Sequence, residues 1–530
     1  MKKILFKFLS VVVLGAFLIG CSSGADESPK LPTPIQTNAD PGNNDTENNA
    51  AVNNAAVNNA VANSDEGNMV PGPPAFGAEA DLLGYEASTT WVAGVSSDGH
   101  PILVEAFGDA GPVVLLVDGM SGKTRFDYGF GFRARQLLRS GLAQRLGVRF
   151  VLVGALNPTA IFDKTSKNRD GVDVTLDFDA FSSPEASALI EVIDAIKPTA
   201  VIATGCCSYG IYPNGPAIGL AEVLAPTHSA SFMPEVVNGP QQTASLGAYL
   251  TRETDIPFLT YQFDKDNPIK DHQRVHLLDG LENASEWFVE HEADNSPPDL
   301  EAALEEAMPK DLNPWVGMVI GHSREGGLPI IAESIGRGSQ TLLIFADMHG
   351  SHPRVQDTVE YLRQRAITNP VYNKRVYILS TPLPNSYFAT QRADPAVLAA
   401  LDNGDLDIAE TNAFVAFMEK IDPDVVLYVD FTSPTTSDKE FLRFIKPERA
   451  EQFEVPEGFG PSQIIDDTRL ARLPKYLKLN GIEQIELKIP DDSLRQPGSS
   501  GAVPLPTRDL DAALETLLKS NLKEFANPQD

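Results

Sequence analysis

Cysteine is almost missing from this chain, with 3 in 530 residues. Besides Cys21 there are only the adjacent Cys206 and Cys207, and neighbouring cysteines cannot bridge each other without strain. A disulfide framework is therefore excluded, and the fold must rest on its apolar cores. Positive charge is also short. Lys and Arg number 42 against 72 Asp and Glu, a net charge of −30, so a polyanion is repelled over most of the surface and nucleic acid is excluded as a partner. The apolar run Phe8 to Ile19 is too short for a comfortable membrane span. Histidine is scarce, at 8 residues, which gives weight to any place where two fall close together. Hydrophobic residues make up 42% and aromatics 8%, ordinary values for a globular chain long enough for two or three domains.

The N-terminus carries Lys2, Lys3 and Lys7, then the apolar run, then Leu18-Ile19-Gly20-Cys21. This resembles the lipobox of bacterial lipoproteins. The resemblance implies a signal peptide over 1–20, cleavage before Cys21 and acylation of that cysteine, and two or more acyl chains make a stable anchor. Ser22, where sorted lipoproteins carry aspartate for retention, implies the outer membrane. An ordinary secretory signal with a chance cysteine is the alternative. Residues 21–78 include Asn43 to Asn63, with its repeated Asn-Asn-Ala-(Ala-)Val, and then Pro71, Pro73 and Pro74. Such polar low complexity predicts a disordered tether.

From about residue 80, short apolar runs (Val113-Val117, Phe150-Val153, Ala200-Ala203) alternate with helix-like stretches (Arg133-Arg145, Pro184-Ile196). Continuous apolar strands between amphipathic helices predict an α/β fold, a sheet covered on both faces. The pattern then returns. Gly94-Val-Ser-Ser-Asp-Gly-His-Pro-Ile102 matches Gly321-His-Ser-Arg-Glu-Gly-Gly-Leu-Pro-Ile330, with Pro101 and Pro329 228 residues apart. Gly122 and Gly350 keep that offset, Pro158 and Pro384 stand 226 apart, Pro198 and Pro423 225, and Gln262 and Glu486 224. One slowly drifting offset over five landmarks predicts a tandem duplication, with domains over 79–297 and 310–525. The acidic stretch His291-Pro309 is the expected joint, and an amphipathic helix is expected near Leu510-Phe525.

Both repeats resemble the metallocarboxypeptidases, whose zinc-binding domain is one α/β unit around a mixed sheet. Ser97-Asp98-Gly99-His100-Pro101-Ile102 is similar to the family's opening hairpin. Asn157-Pro158 stands where its N-P-D-G begins, and Asn168, Gly171, Val172, Asp173 and Phe178 fall in register with R-x-N-x-x-G-V-D-L-N-R-N-F. The resemblance implies two tandem carboxypeptidase-like domains, each a mixed β-sheet flanked by helices. In that family a metal-bound water attacks the peptide carbonyl, a glutamate takes its proton, and an arginine holds the substrate carboxylate or the developing oxyanion.

By the same resemblance, the first repeat has lost every working position. Ser121 and Thr124 stand for the first His and Glu ligands, Ser166 for the arginine, Thr175-Leu176 for the Asn-Arg pair, Gly205 or Cys207 for the third ligand, and Gln262 for the base. The second repeat keeps more. His349, His352 and Asp430 are placed as zinc ligands, Glu486 as the general base and Arg392 as the substrate-binding arginine, although nothing like G-V-D-L-N-R-N-F follows Arg392. Each has a plainer alternative: exposed loop histidines, a turn cap before Thr432-Ser433 for Asp430, a solvent-facing strand residue for Glu486 and a surface charge for Arg392. Gly122-Lys123-Thr124 looks like the end of a phosphate-binding loop. The G-x-x-x-x-G-K-[ST] pattern needs glycine at 117, where Val117 stands, so no nucleotide is expected. Two functions follow for such a surface lipoprotein. The second domain hydrolyses peptides or cell-wall stem peptides with zinc, or both domains are inactive and only bind them.

Overall fold

The computed structural model describes residue 80 and residues 83–123, 129–206, 210–225, 243–263, 277, 279–309, 315–324, 327–336, 338–346, 353–368, 374–384, 408–432, 441–444, 463–464 and 483–490. The expected leader and tether, Cys21, Thr124, Cys207, His349, His352, Arg392 and the expected tail helix lie outside these residues.

In chain order the first half contains β1 (Glu86–Val95), β2 (Pro101–Phe107), β3 (Val113–Val117), α1 (Gly129–Arg139), β4 (Arg149–Val153), α2 (Pro158–Asp163), α3 (Pro184–Ile196), β5 (Ala200–Cys206), β6 (Gly210–Pro213) and β7 (Phe258–Phe263). After α4 (Leu300–Ala307) come β8 (Trp315–His322), β9 (Pro329–Gly336), β10 (Gln340–Ala346), α5 (Pro353–Thr368), β11 (Lys374–Leu379), α6 (Ala409–Ile421), β12 (Val425–Thr432), β13 (Phe441–Phe444), β14 (Gln463–Ile464) and β15 (Glu483–Pro490). The fold is α/β, a mixed sheet flanked by helices.

The strands of β3, β4 and β5 read as unbroken apolar runs because both their faces are covered. Val114, Leu116, Phe150, Leu152 and Ile202 join the core on the side of α1. Val113, Leu115, Val117, Val151 and Val201 join the core under α3. Helix α3 starts where Ser183 caps it, its hydroxyl accepting from Ala186 N at 3.3 Å, with Pro184 in the first turn, a favoured start for a helix. The helix expected over Arg133-Arg145 breaks instead at Gly141, whose φ of 90° only glycine adopts cheaply.

Among the described residues all fifteen strands form one sheet, in the order β14-β13-β15-β12-β10-β11-β9-β8-β1-β2-β4-β3-β5-β7-β6. The centre is the antiparallel pair β1–β8, Glu86 opposite Val319 through Thr90 opposite Trp315. Outward from that pair, the order β1-β2-β4-β3-β5-β7 on one side is matched by β8-β9-β11-β10-β12-β15 on the other. Local details match too. β1 and β8 each carry a bulge, next to Gly94 and Gly321. A Cβ on Gly94 would meet Ala188 of α3, and one on Gly321 would meet Ala413 of α6. Glu185 accepts the Ser97 N–H at 2.9 Å, and Glu410 accepts the Arg324 N–H at 2.8 Å.

The stretch read from sequence as a joint is partly helical. Asp299 caps α4, accepting from Ala302 N at 2.9 Å, and Leu300, Leu304 and Met308 belong to the core under α3. The first half therefore runs past residue 297, to at least Met308. Its acidic surface hid a short amphipathic helix whose apolar stripe is only two turns long.

Candidate functional site

In the first half, the candidate positions gather at the C-terminal ends of β3, β4, β5 and β7, the usual place for a site in an open α/β sheet. Asn157 is buried and caps α2, its side chain accepting from Ala160 N at 3.2 Å. The Asn168 loop is closed on itself. Asn168 Oδ1 accepts from Asp170 N (3.1 Å) and Val172 N (3.0 Å), its amide donates to Glu185 (3.0 Å), and Gly171 takes φ 83°. Phe178 is fully buried in the core under α3. These matched positions build the scaffold of the loop.

The positions where a site of this type would do its work are occupied otherwise. Ser166, in the place of the arginine, donates to Asp173 Oδ2 at 2.7 Å, and Thr175 donates to Asp173 Oδ1 at 2.6 Å. Both hydroxyls serve the turn. Gly205 lies level with Gln262 across β5 and β7, so neither a ligand nor a carboxylate base stands at that register. Gly122 is pinned by its N–H to Thr165 O at 2.7 Å, and a Cβ there would sit 1.9 Å from Ala160 O. Close packing against α2 explains the glycine of the phosphate-loop look-alike.

The second-half rim is described at β12 and β15. Asp430 lies level with Lys488, one strand over, and the Lys488 ammonium donates to Asp430 Oδ2. Both side chains are largely buried, at 15% and 10% exposed. Glu486 lies level with Tyr428 instead. The register thus revises the equivalence taken from sequence. Gly205 and Asp430 correspond, and the residue level with each is Gln262 in one half and Lys488 in the other. A slip of two residues keeps the same face of a strand, so the alternation of Ile485 and Leu487 around Glu486 could not reveal it.

A zinc ion does not fit the part of this rim that is described. It would need the Asp430 carboxylate that an ammonium already holds, and it would meet that positive charge at the register that Gln262 holds in the first half. Among the described residues, no group of three His, Cys, Asp or Glu side chains could hold a metal ion.

Sequence reasoning missed a strongly charged buried cluster among the described residues. It lies on the inner strands and helices of the two halves. Glu105 (β2), Arg135 and Arg139 (α1), Glu333 (β9), and Glu360 and Arg363 (α5) are all buried together. Arg135 donates to Glu105, to Glu333 at 2.8 Å and to both oxygens of Glu360 at 2.7 and 3.0 Å. Arg139 donates to Glu105 at 2.9 Å, and Arg363 grips Glu333 with two bonds of 2.7 Å. Burial alone would raise the Glu105 carboxyl, but Arg135, Arg139 and Arg363 outweigh it and bring it down to about 2. Glu333 is likewise held well below its usual value. The signal was available: Glu105 and Glu333, and Arg135 and Arg363, stand 228 apart, the same offset as Pro101 and Pro329.

No family model matches the chain, and no curated protein matches it. Solved structures do. Murein-tripeptide amidase MpaA from Escherichia coli O157 is similar at 18% identity, over 38% of this chain and 92% of that one, with a TM-score of 0.29. A metallo-carboxypeptidase from Burkholderia cenocepacia is similar at 14% identity, over 40% and 67%, with a TM-score of 0.32. One from Pseudomonas aeruginosa is similar at 14% identity, over 40% and 68%, with a TM-score of 0.31.

Proposed function

We propose that the chain is a lipid-anchored, carboxypeptidase-like binding protein that recognises peptides or cell-wall stem peptides without cutting them. The observation that carries this reading is the Lys488–Asp430 ion pair. It neutralises the one described carboxylate assigned to zinc. In the first half, Gly205 and Gln262 at the same register put neither a ligand nor a carboxylate base, among the described residues, where the family's loop scaffold would present them. The order of strands on either side of β1–β8 supports a tandem duplication in which both copies have drifted from hydrolysis. Cys21 supplies the anchor, at the outer membrane, and the net charge of −30 keeps nucleic acid away.

The test is a metal and turnover measurement on the full chain. After incubation with zinc and dialysis, metal content stays well below one ion per chain, and a peptide panel loses no C-terminal residues. Calorimetry with stem-peptide fragments shows binding. About one zinc per chain, abolished by His349→Ala, together with C-terminal residue release, would instead establish hydrolysis by the second domain through His349, His352, Asp430, Glu486 and Arg392. Neither binding nor turnover would sink the peptide reading altogether.

A further inference from the structure

The buried network between the halves is symmetric in part and unsymmetric in part, and the difference has a charge. Four of its six members form two equivalent pairs, Glu105 with Glu333 and Arg135 with Arg363, each pair 228 residues apart. Around β1–β8 the strand order is mirrored, and Thr89 lies opposite Val316, 227 residues further on, the same separation as Gly94 and Gly321. The geometry is that of a self-complementary interface, where one patch meets its own copy.

The other two members have no charged equivalent. On the 228 offset, Glu360 of α5 corresponds to Phe132 of α1, and Arg139 of α1 corresponds to Ile367 of α5. All four are buried. The first half therefore brings two arginines and one glutamate, and the second brings one arginine and two glutamates. Joined as they are, the halves bury three of each and no net charge. Two first-type halves would bury four arginines against two glutamates, and two second-type halves would bury two against four. Uncompensated charge in a dry interior is strongly unfavourable.

We propose that this network is a recognition code: it pairs each half with its unlike partner and rejects like pairs. A symmetric interface left unmarked would allow any half to dock on any other, within a chain or between chains crowded on a membrane. Arg139 fits the role of a marker better than that of a structural clamp. It donates to Glu105 at 2.9 Å, yet its buried Nε has no partner, and burial and the neighbouring Arg135 lower its affinity for the proton. Such a group is retained for its charge more than for its bonds, in line with the use of buried polar groups to set partner and register.

The decisive experiment is a double-mutant cycle in the intact chain, Arg139→Met, Glu360→Gln and both together, read by thermal melting. Arg139 and Glu360 share no hydrogen bond but belong to one network through Glu105 and Arg135, so a purely structural network also gives some coupling, and the code requires more, a double variant that recovers stability. The code predicts that each single change lowers the midpoint by several degrees, and that the double, which restores two arginines against two glutamates, loses less than the worse single. A double that loses as much as the worse single, or more, would overturn the proposal. A second readout follows partner choice directly. A protease site after Pro309, beyond the last first-half core residue Met308, allows the folded chain to be nicked, and the nicked chain is then unfolded and refolded. Unlike pairs alone are expected from the native sequence, and like pairs join them in the double variant. Like pairs as abundant as unlike ones in the native sequence would also overturn it.

Discussion

Replacing Arg135 by methionine removes the hub of the buried network while keeping a flexible apolar side chain in the space. Arg135 donates to three carboxylates, with bonds of 2.7 Å to Glu360 and 2.8 Å to Glu333. Its loss leaves Glu105, Glu333 and Glu360 facing only Arg139 and Arg363. Breaking a buried ion pair by deleting one partner costs about 3–5 kcal/mol, because a charge stays buried without compensation, and that range is expected for Arg135→Met at pH 7. The pH dependence gives a sharper check. In the native protein the neighbouring arginines hold the Glu105 carboxyl down at about 2, against an ordinary 4.5. Its contribution, up to about 3 kcal/mol, is fully present above pH ~4.5 and is lost as pH falls from there toward 2. In the variant the uncompensated carboxylate is raised by burial. Its penalty is thus absent below pH ~4.5 and grows as pH rises toward neutrality. The stability gap between the two proteins must therefore narrow on acidification, by up to about 3 kcal/mol as pH falls from ~4.5 toward 2. Urea unfolding at a series of pH values measures it. A cost below ~1 kcal/mol at pH 7, or a gap that does not change with pH, would refute the reasoning.

Other outcomes follow from single positions. Gly321→Ala places a Cβ 2.4 Å from Ala413 Cβ, whereas Gly94→Ala places one 3.1 Å from Ala188 Cβ; urea unfolding should show a loss of about 1–3 kcal/mol for the first and clearly less for the second. Asn157→Ala removes a buried helix cap and should cost about 1–2 kcal/mol; an unchanged urea midpoint would show that the cap is idle. On the proposed lipid anchor, Cys21→Ser should move the protein from the membrane to the soluble fraction on fractionation, and an unchanged distribution would count against acylation at that cysteine. Lys488→Met should raise zinc uptake over the native chain if the ammonium is what keeps metal from Asp430, and equal uptake in the two proteins would count against that role.

Much of the fold was legible because it is written in apolar runs. Val113-Val117 and Pro184-Ile196 fall on a strand and a helix with those bounds, since buried parallel strands and amphipathic helices both leave strong periodic marks. The joint was misread, because two buried leucines and a methionine in an acidic stretch make too weak a stripe to count. The candidate site was legible only as a set of absences. Ser166, Gly205 and Gln262 read as residues other than a ligand or a base, but the Lys488–Asp430 ion pair depends on which residue of β15 lies beside Asp430. That register is set by inter-strand hydrogen bonds, and alternation along a single strand does not encode it. The buried arginines and glutamates escaped because charged residues in a helix such as Arg133-Ala-Arg135 read as solvent-facing. Their burial follows from the meeting of two halves, and no window along the chain contains that meeting.

The uninterrupted sheet has a mechanical consequence. Many paired-domain proteins respond to ligand by a hinge between their lobes. Here such a swing would have to tear backbone hydrogen bonds between β1 and β8 and pull buried arginines away from buried glutamates. Whatever this protein senses, its two rims must respond through their own loops, with the shared backbone as a fixed frame.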